Sequence, residues 1–164
     1  MRRIIDMILR TAAIAGILFA TTLSQAFADS GLITRPSKYS VLETAEKFEA
    51  AVKSKAPGGW VVFSRIDHAA AAKEAGLDMR ARVVIIFGNP KGGTPLMAKS
   101  ATLAIDLPMK ALIWQDEQDK VWLTYNAGAY AAKQIYPRHG LTMPDGAANM
   151  LEAFLADASD RSTQ

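Results

Sequence analysis

The chain has 164 residues and no cysteine, and its 19 lysines and arginines stand against 16 aspartates and glutamates. Without a thiol, cysteine nucleophiles, thiolate metal sites and dithiol redox chemistry are excluded. Three of the arginines and one of the aspartates lie within the first 28 residues, which leaves 16 basic and 15 acidic residues in the remainder. That near-neutral remainder has no basic stripe interleaved with aromatic residues, so the composition argues against a nucleic-acid partner.

The N-terminus has the three-part pattern of a secretory signal peptide. A positively charged start is followed by residues 11–23, which are uncharged and mostly apolar, and Ala26-Phe27-Ala28 fits the small-x-small cleavage pattern. The 13 residues of the apolar stretch fall short of the roughly 20 that a membrane-spanning helix needs. We therefore expect a signal peptide over residues 1–28 and a mature periplasmic or secreted chain beginning near Asp29, with an uncleaved anchor as the alternative.

The first half of the mature chain predicts a strand, a helix, a second strand and a short helix. Residues 32–38 suit an edge strand, and Ser40 with Glu43 forms a capping box at the start of an amphipathic helix. Residues 60–66 are rich in β-branched and aromatic side chains, which favours a strand. Asp67 can then cap a short alanine-rich helix.

The middle of the chain predicts an interior strand followed by a brief helix. Residues 82–87 are apolar on both faces, as in a strand that other strands flank. Thr94 is a suitable N-cap and Pro95 a suitable first helical residue. We expect that helix to end near Lys99 or Ser100.

The C-terminal third predicts a hairpin and two helices. The polar residues 116–120 suit the turn of the hairpin, which would place Trp114 opposite Trp122. The two helices are predicted over residues 129–136 and, with Asp145 as its cap, over residues 147–155. The small, polar tail beyond Asp157 is expected to be frayed.

Strands and helices do not alternate strictly along the chain. About five strands and three or four helices in this order favour an α+β fold with a mostly antiparallel sheet and helices on one face. We expect residues 29–141 to form a single domain and residues 142–164 to form a C-terminal helix and tail.

The segment 87–97, Phe-Gly-Asn-Pro-Lys-Gly-Gly-Thr-Pro-Leu-Met, carries the strongest chemical signal in the chain. A strand that leads into a glycine-rich loop before a helix can point several backbone N–H groups at one spot, where a carboxylate or phosphate would bind. The lysine that follows the second glycine of a phosphate-binding P-loop is missing, which argues against nucleotide hydrolysis. A structural turn, for example at a dimer interface, is the alternative interpretation.

His68 and His139 are the only two imidazoles in the sequence. Either could bind haem or a metal ion, with Met97 or Met109 as a soft partner. The spacings His-x-x-x-His and His-Glu-x-x-His are absent, which argues against a zinc site. The G-x-S-x-G elbow of serine hydrolases is absent as well.

Five separated blocks of sequence match one known family in its own order. They are residues 65–70, 87–97, 105–112, 121–126 and 138–141. On these blocks the chain resembles the domain of unknown function 302 family over roughly residues 36–141. The resemblance implies a compact β-α-β(4)-α domain that pairs into homodimers, and it implies no activity.

The first functional hypothesis is an exported, homodimeric, non-enzymatic module that binds a small anionic ligand where the glycine loop meets its helix. The second is a haem or metal protein that uses His68, His139 or Met97, and the third is a hydrolase or isomerase. Asp106 and Lys110 could form a charged pair over the loop, with an ordinary surface ion pair as the alternative. The candidate ligand-binding residues are Gly88, Asn89, Lys91, Gly92, Gly93, Thr94, Met97, Asp106, Lys110 and His68.

Overall fold

The computed structural model describes residues 31–164, and the predicted signal peptide over residues 1–28 lies outside the described residues. The strands are β1 (Leu32–Ser37), β2 (Val61–Asp67), β3 (Arg82–Gly88), β4 (Met109–Gln115) and β5 (Val121–Asn126). They form one sheet in the order β1-β5-β4-β3-β2. The pairs β2–β3, β3–β4 and β4–β5 are antiparallel, and the predicted α+β class with a mostly antiparallel five-stranded sheet is confirmed.

Five α-helices accompany the sheet within residues 31–164, each near a position where the sequence predicts one, although the overall estimate was three or four. They are α1 (Val41–Lys53), α2 (His68–Glu74), α3 (Pro90–Lys99), α4 over residues 128–138 and α5 (Ala147–Thr163). The middle of α4 is a π-helical turn, Ala131–Ile135. None of the helices in this described part combines the length and the apolar character needed to cross a membrane.

The hydrophobic core lies between one face of the sheet and the helices α1 and α5. On β3, the side chains of Val83, Ile85 and Phe87 are buried, whereas Val84 and Ile86 between them are only half-buried. Successive side chains of a strand point to opposite faces of the sheet. The odd-numbered residues of β3 therefore face α1 and α5, and the even-numbered ones face away.

Two of the predicted helix caps are present. The hydroxyl of Ser40 accepts a hydrogen bond from the backbone N–H of Glu43 at 3.2 Å and starts α1. The carboxylate of Asp67 accepts from the backbone N–H of Ala70 at 3.0 Å and starts α2. These side chains satisfy N–H groups that have no partner inside the helix.

The predicted start of α3 at Thr94 and Pro95 is wrong. Asn89 is the N-cap, and Pro90 is the first helical residue, so α3 begins four residues earlier than its proposed cap. Asparagine and proline suit these two positions as well as threonine and proline do, because Asn–Pro offers the same cap and the same fixed φ. The two glycines that follow Lys91 are therefore helical and do not form an open loop.

The predicted hairpin and its tryptophan pair are confirmed. Trp114 and Trp122 are register partners on β4 and β5, and their rings stack with centroids 6.3 Å apart. The indole N–H of Trp114 donates to the hydroxyl of Thr124, and that of Trp122 donates to the carboxylate of Asp116 at 2.7 Å. This second hydrogen bond holds the pKa of the Asp116 carboxyl below its usual value.

The predicted frayed tail is wrong. Helix α5 continues to Thr163, and its last two turns bury Ala158, Ser159, Ser162 and Thr163. The small, polar composition was misleading because the hydroxyls of Ser162 and Thr163 donate to carbonyls of their own helix, as Ser162 Oγ does to the Ala158 carbonyl at 2.8 Å. Short side chains with satisfied hydroxyls can pack closely, and α5 packs against α1.

The second face of the sheet is mostly apolar and not buried within the described chain. Its apolar side chains are Ile66 of β2, Val84 and Ile86 of β3, Leu112 and Trp114 of β4, and Trp122 of β5, and the polar or charged Ser64, Arg82, Lys110 and Thr124 lie among them on the same face. Each of these side chains is half-buried or exposed. We call this set the apolar sheet face.

Candidate functional site

A cavity of about 640 Å³ opens beside the end of β3. One wall consists of residues 88–97 and residues 107–109, which are α3 and the approach to β4. The opposite wall consists of Tyr136 at the end of α4 and of residues 143–154, which lead into and form α5. Trp60 and Phe63, at the start of β2, close the end between the two walls. We call this space the apolar cavity.

The lining of the apolar cavity contains no charged side chain. Of its polar groups, the Asn89 amide is already engaged, because its nitrogen donates to the Gly58 carbonyl at 2.9 Å and its oxygen caps α3. Burial raises the pKa of the Tyr136 phenol above its usual value, so this side chain stays neutral over the physiological pH range. The cavity therefore offers mainly apolar contact, and its remaining polar side-chain groups are the neutral Tyr136 hydroxyl and the Trp60 indole N–H.

An aromatic cluster supports the inner end of the cavity. The rings of Trp60 and Phe154 stack with centroids 3.7 Å apart and an interplanar angle of 10°. Both rings also lie within 6.3 Å of the Phe87 ring, which belongs to the buried core. Stacked aromatic side chains combine large buried area with fixed geometry, so this end of the cavity is held by the core itself.

The backbone N–H groups that suggested an anion site are engaged within α3. Those of Lys91 and Gly92 donate to the Asn89 side-chain oxygen at 3.1 and 3.3 Å. That of Gly93 donates to the Asn89 carbonyl at 2.8 Å. These N–H groups do not converge on an open anion site, because the N-cap side chain takes the place that a bound anion would occupy.

Gly59 permits this arrangement. It has φ of +94°, and a Cβ there would lie 2.8 Å from the Asn89 side-chain oxygen. A residue with a side chain would therefore be strained at this position and would also press on the N-cap of α3.

The ten candidate ligand-binding residues are divided among four places. Five of them line the apolar cavity: Gly88, Asn89, Gly92, Gly93 and Met97. Lys91 and Thr94 are exposed on α3 and do not line it. Asp106 and Lys110 line a smaller neighbouring cavity of about 70 Å³, and His68 is exposed at the start of α2.

Asp106 belongs to a hydrogen-bonded cluster that we call the Asp106 clasp. Its carboxylate lies 2.6 Å from the His139 Nε2 atom and 3.5 Å from the Arg138 guanidinium. The other ring nitrogen of His139 lies 2.9 Å from the Thr102 hydroxyl, and the His139 carbonyl accepts from Ser100 Oγ. The clasp thus ties the segment after α3 to the end of α4, one wall of the apolar cavity to the other.

The predicted ion pair between Asp106 and Lys110 is not formed. Asp106 pairs with Arg138 and His139, whereas the Lys110 ammonium donates to the Pro108 carbonyl at 3.3 Å. The clasp also engages both nitrogens of His139, whose side chain is 4% exposed, so this imidazole has no free ligand position. Among residues 31–164, no group of three or more histidine and carboxylate residues could hold a metal ion.

A comparison with family models identifies the chain. The model named "Domain of unknown function DUF302" matches residues 33–158, most of the chain. The chain belongs to the DUF302 family. The match runs past residue 141, the predicted domain end, and into α5, in accord with the packing of that helix on the core.

The curated relatives of this DUF302 domain are longer proteins. It is 50% identical over 113 residues to "Fluoride-specific ion channel FluC 1" of Brucella suis biovar 1 (strain 1330), which covers 69% of this chain and 42% of that protein. The protein of the same name from Brucella abortus biovar 1 (strain 9-941) is also 50% identical over 113 residues, 39% of its length. The chain thus spans about two fifths of these relatives.

A solved structure has the same fold. It is described as the crystal structure of an uncharacterized conserved DUF302 protein from Bacillus stearothermophilus. The TM-score is 0.63 at 20% sequence identity, over 80% of this chain and 97% of that chain. At this identity the likeness concerns the fold alone.

Sequence reasoning missed the half of the cavity that the C-terminal part of the DUF302 domain supplies. On α5, Ala147, Met150, Leu151 and Phe154 line the cavity. Their spacing of i, i+3, i+4 and i+7 is that of one helix face, and this was the signal available in the sequence. It predicts a buried face equally well, so the sequence does not distinguish a core helix from a cavity wall.

Proposed function

We propose that this DUF302 domain is an exported, homodimeric, non-enzymatic module that binds a small apolar ligand in the apolar cavity. The observation that carries the proposal is a cavity of about 640 Å³ with an uncharged, largely apolar lining. Ligand sites in proteins measure roughly 300–1,000 Å³ and are mostly apolar. Export rests on the N-terminal pattern and is tested by N-terminal sequencing of the periplasmic protein, which we expect to start at Asp29.

The chemistry of the lining revises the expected ligand from anionic to apolar. Contact with apolar surface contributes roughly 25 cal/mol for each Å² removed from water. A carboxylate or phosphate in the same place would lose its hydration without gaining a partner, because the nearby N–H groups are engaged by Asn89. The preferred occupant is therefore a neutral molecule of aromatic or aliphatic character.

Fluoride does not fit the apolar cavity by the same reasoning. The Brucella relatives are named fluoride-specific ion channels, and this chain matches about two fifths of their length. A fluoride ion is strongly hydrated and would need several free donors to enter an apolar site. We therefore propose that the ligand is not fluoride, and sodium fluoride serves as a negative control in the binding test.

Titration with N-phenyl-1-naphthylamine, a neutral apolar fluorophore, tests the function. We expect saturable binding with one probe per chain, unaffected by sodium fluoride at matched ionic strength. Phe63 and Met150 line the cavity and are 53% and 68% exposed, so replacing both with glutamine should leave the fold intact. The lost apolar contact should weaken probe binding by about tenfold.

The matched control replaces Leu77 and Ile105 with glutamine. These side chains are 65% and 75% exposed and lie outside the cavity lining. The control should bind the probe as the parent does. Absence of saturable binding, or equal weakening in both double variants, would show that the cavity is not the binding site.

The homodimer is proposed from the apolar sheet face. Sheets pack face to face at about 10 Å through such surfaces. Five strands of six or seven residues cover roughly 24 Å by 20 Å. That footprint is about 480 Å², the same order as the roughly 800 Å² of accessible surface that each partner of a stable dimer buries. A second copy of this chain presents an identical face, which is what a two-fold interface requires.

Replacing Leu112 with lysine should convert the dimer into a monomer. Leu112 lies on β4, the middle strand, with Val84 and Thr124 as its neighbours on that face, so the ammonium would be buried at the centre of the interface. Sedimentation equilibrium of the parent and the variant measures the change. Leu77→Lys, on an exposed loop, is the control; a monomeric parent would refute the proposed interface.

A further inference from the structure

The methionines of this DUF302 domain are concentrated at one place. Residues 31–164 contain five methionines, and four of them line the apolar cavity. These four are Met97, Met109, Met143 and Met150. The fifth, Met79, is 42% exposed and lies outside the cavity lining.

The two walls of the cavity share these methionines equally. Met97 lies on α3 and Met109 begins β4, while Met143 precedes α5 and Met150 lies on it. Met150 is 68% exposed and the other three are half-buried. These side chains therefore line the space that a ligand would fill, and Met150 is largely exposed to reagents in solvent.

Thioether chemistry gives this arrangement a second property. A methionine side chain is flexible and apolar and adapts to ligands of different shape. Oxidation to the sulfoxide makes the same side chain polar, and methionine sulfoxide reductases reverse the change. Since the chain has no cysteine, its thioethers are the sulfur groups available to an oxidant.

We propose that the apolar cavity is a redox-modified binding site, in which oxidation of its methionines by peroxide, beginning at the exposed Met150, releases the apolar ligand. The inference rests on the proposed function of the cavity. In the reaction the peroxide transfers one oxygen atom to the sulfur and leaves as water. Sulfur loses two electrons and the O–O bond accepts them, so no further reactant is needed.

The lining explains why oxidation would act on binding. Each sulfoxide oxygen needs a hydrogen-bond donor or water. The Asn89 side chain is already engaged, and the Tyr136 hydroxyl and the Trp60 indole N–H are too few to serve four sulfoxides. Seating an apolar ligand over the oxidised residues would strip water from their oxygens, so the oxidised cavity should bind about tenfold more weakly or worse.

The test compares probe binding before and after hydrogen peroxide treatment of the mature chain. Peptide mass spectrometry should locate a sulfoxide first at Met150 and then at the other cavity methionines, and the affinity for N-phenyl-1-naphthylamine should fall by about tenfold. Treatment with methionine sulfoxide reductases of both stereospecificities should restore it. Replacing the four cavity methionines with leucine, a swap of similar volume, should give a domain whose own probe affinity, whatever its starting value, does not fall after peroxide.

The control is Met79→Leu, which should remain as sensitive to peroxide as the parent. Unchanged affinity in a parent oxidised at Met150 and the other cavity methionines would overturn the inference and leave the proposed function standing. Equal loss of binding in the four-leucine variant would overturn it too, because damage elsewhere would then be responsible. No probe binding before oxidation would overturn the proposed function and the inference together.

Discussion

Replacing Ala158 with aspartate should destabilise the domain by about 3–5 kcal/mol, the cost of an unpaired buried charge. Ala158 is 1% exposed and belongs to the main hydrophobic core, although the sequence suggested a frayed tail at this point. The carboxylate would have to enter the space between α5 and α1 without a partner. Urea unfolding of the parent and the variant, monitored by circular dichroism, measures the difference in the free energy of unfolding.

The control is the same substitution five residues earlier, at an exposed position. Ala153 is exposed on α5, and aspartate there should change the free energy of unfolding by no more than about 0.5 kcal/mol. Aspartate lowers helix propensity by a similar amount at both positions. The difference between the two changes in the free energy of unfolding therefore reports the cost of burying the carboxylate. Equal, small effects at the two positions would mean that the end of α5 does not pack on the core.

Replacing Asp106 with alanine should lower the free energy of unfolding by about 1–3 kcal/mol. The His139 imidazole, which is 4% exposed, would lose its carboxylate partner, and Arg138 would lose its ion pair. Because the clasp joins the two walls of the apolar cavity, probe binding should also weaken. Denaturant unfolding and a titration with N-phenyl-1-naphthylamine measure the two effects.

The control for this prediction is Asp78→Ala. Asp78 is exposed and, within the described part of the chain, its carboxylate makes no hydrogen bond or ion pair. A double-mutant cycle with His139→Ala should give a coupling energy of at least about 0.5 kcal/mol, as for residues that share a hydrogen bond. A coupling of zero, with probe affinity unchanged, would mean that the clasp does not hold the walls together.

The fold was predictable where local chemistry and hydrophobic period agree. Ser40 and Asp67 each precede a helical pattern, and each caps the helix that follows. The hairpin around residues 116–120 was equally clear, because two strand patterns flank a polar turn. At α3 the sequence predicted Thr94 as the cap, whereas Asn89 caps the helix, and its amide nitrogen also donates to the Gly58 carbonyl, a contact between distant residues that local sequence does not reveal.

The site was only half predictable. The wall that contains Gly88, Gly93 and Met97 stood out because glycine, proline and methionine are concentrated there. The wall formed by α5 did not stand out, because a helix face that lines a cavity has the same period as a helix face that fills a core. The prediction of an anion site was wrong because the two glycines lie in the first turn of α3, where their N–H groups donate to Asn89.

The two walls of the cavity come from separate parts of the chain, and this determines when the binding site forms. Residues 88–109 and residues 136–154 meet only after the last helix has docked, so a nascent chain without α5 has no binding site. A ligand that occupies the completed site would favour the docked helix, and its contribution would grow with the logarithm of its concentration above the dissociation constant. A bound ligand would thus stabilise the docked position of α5 once the chain is complete. In ligand-free molecules α5 would detach more readily.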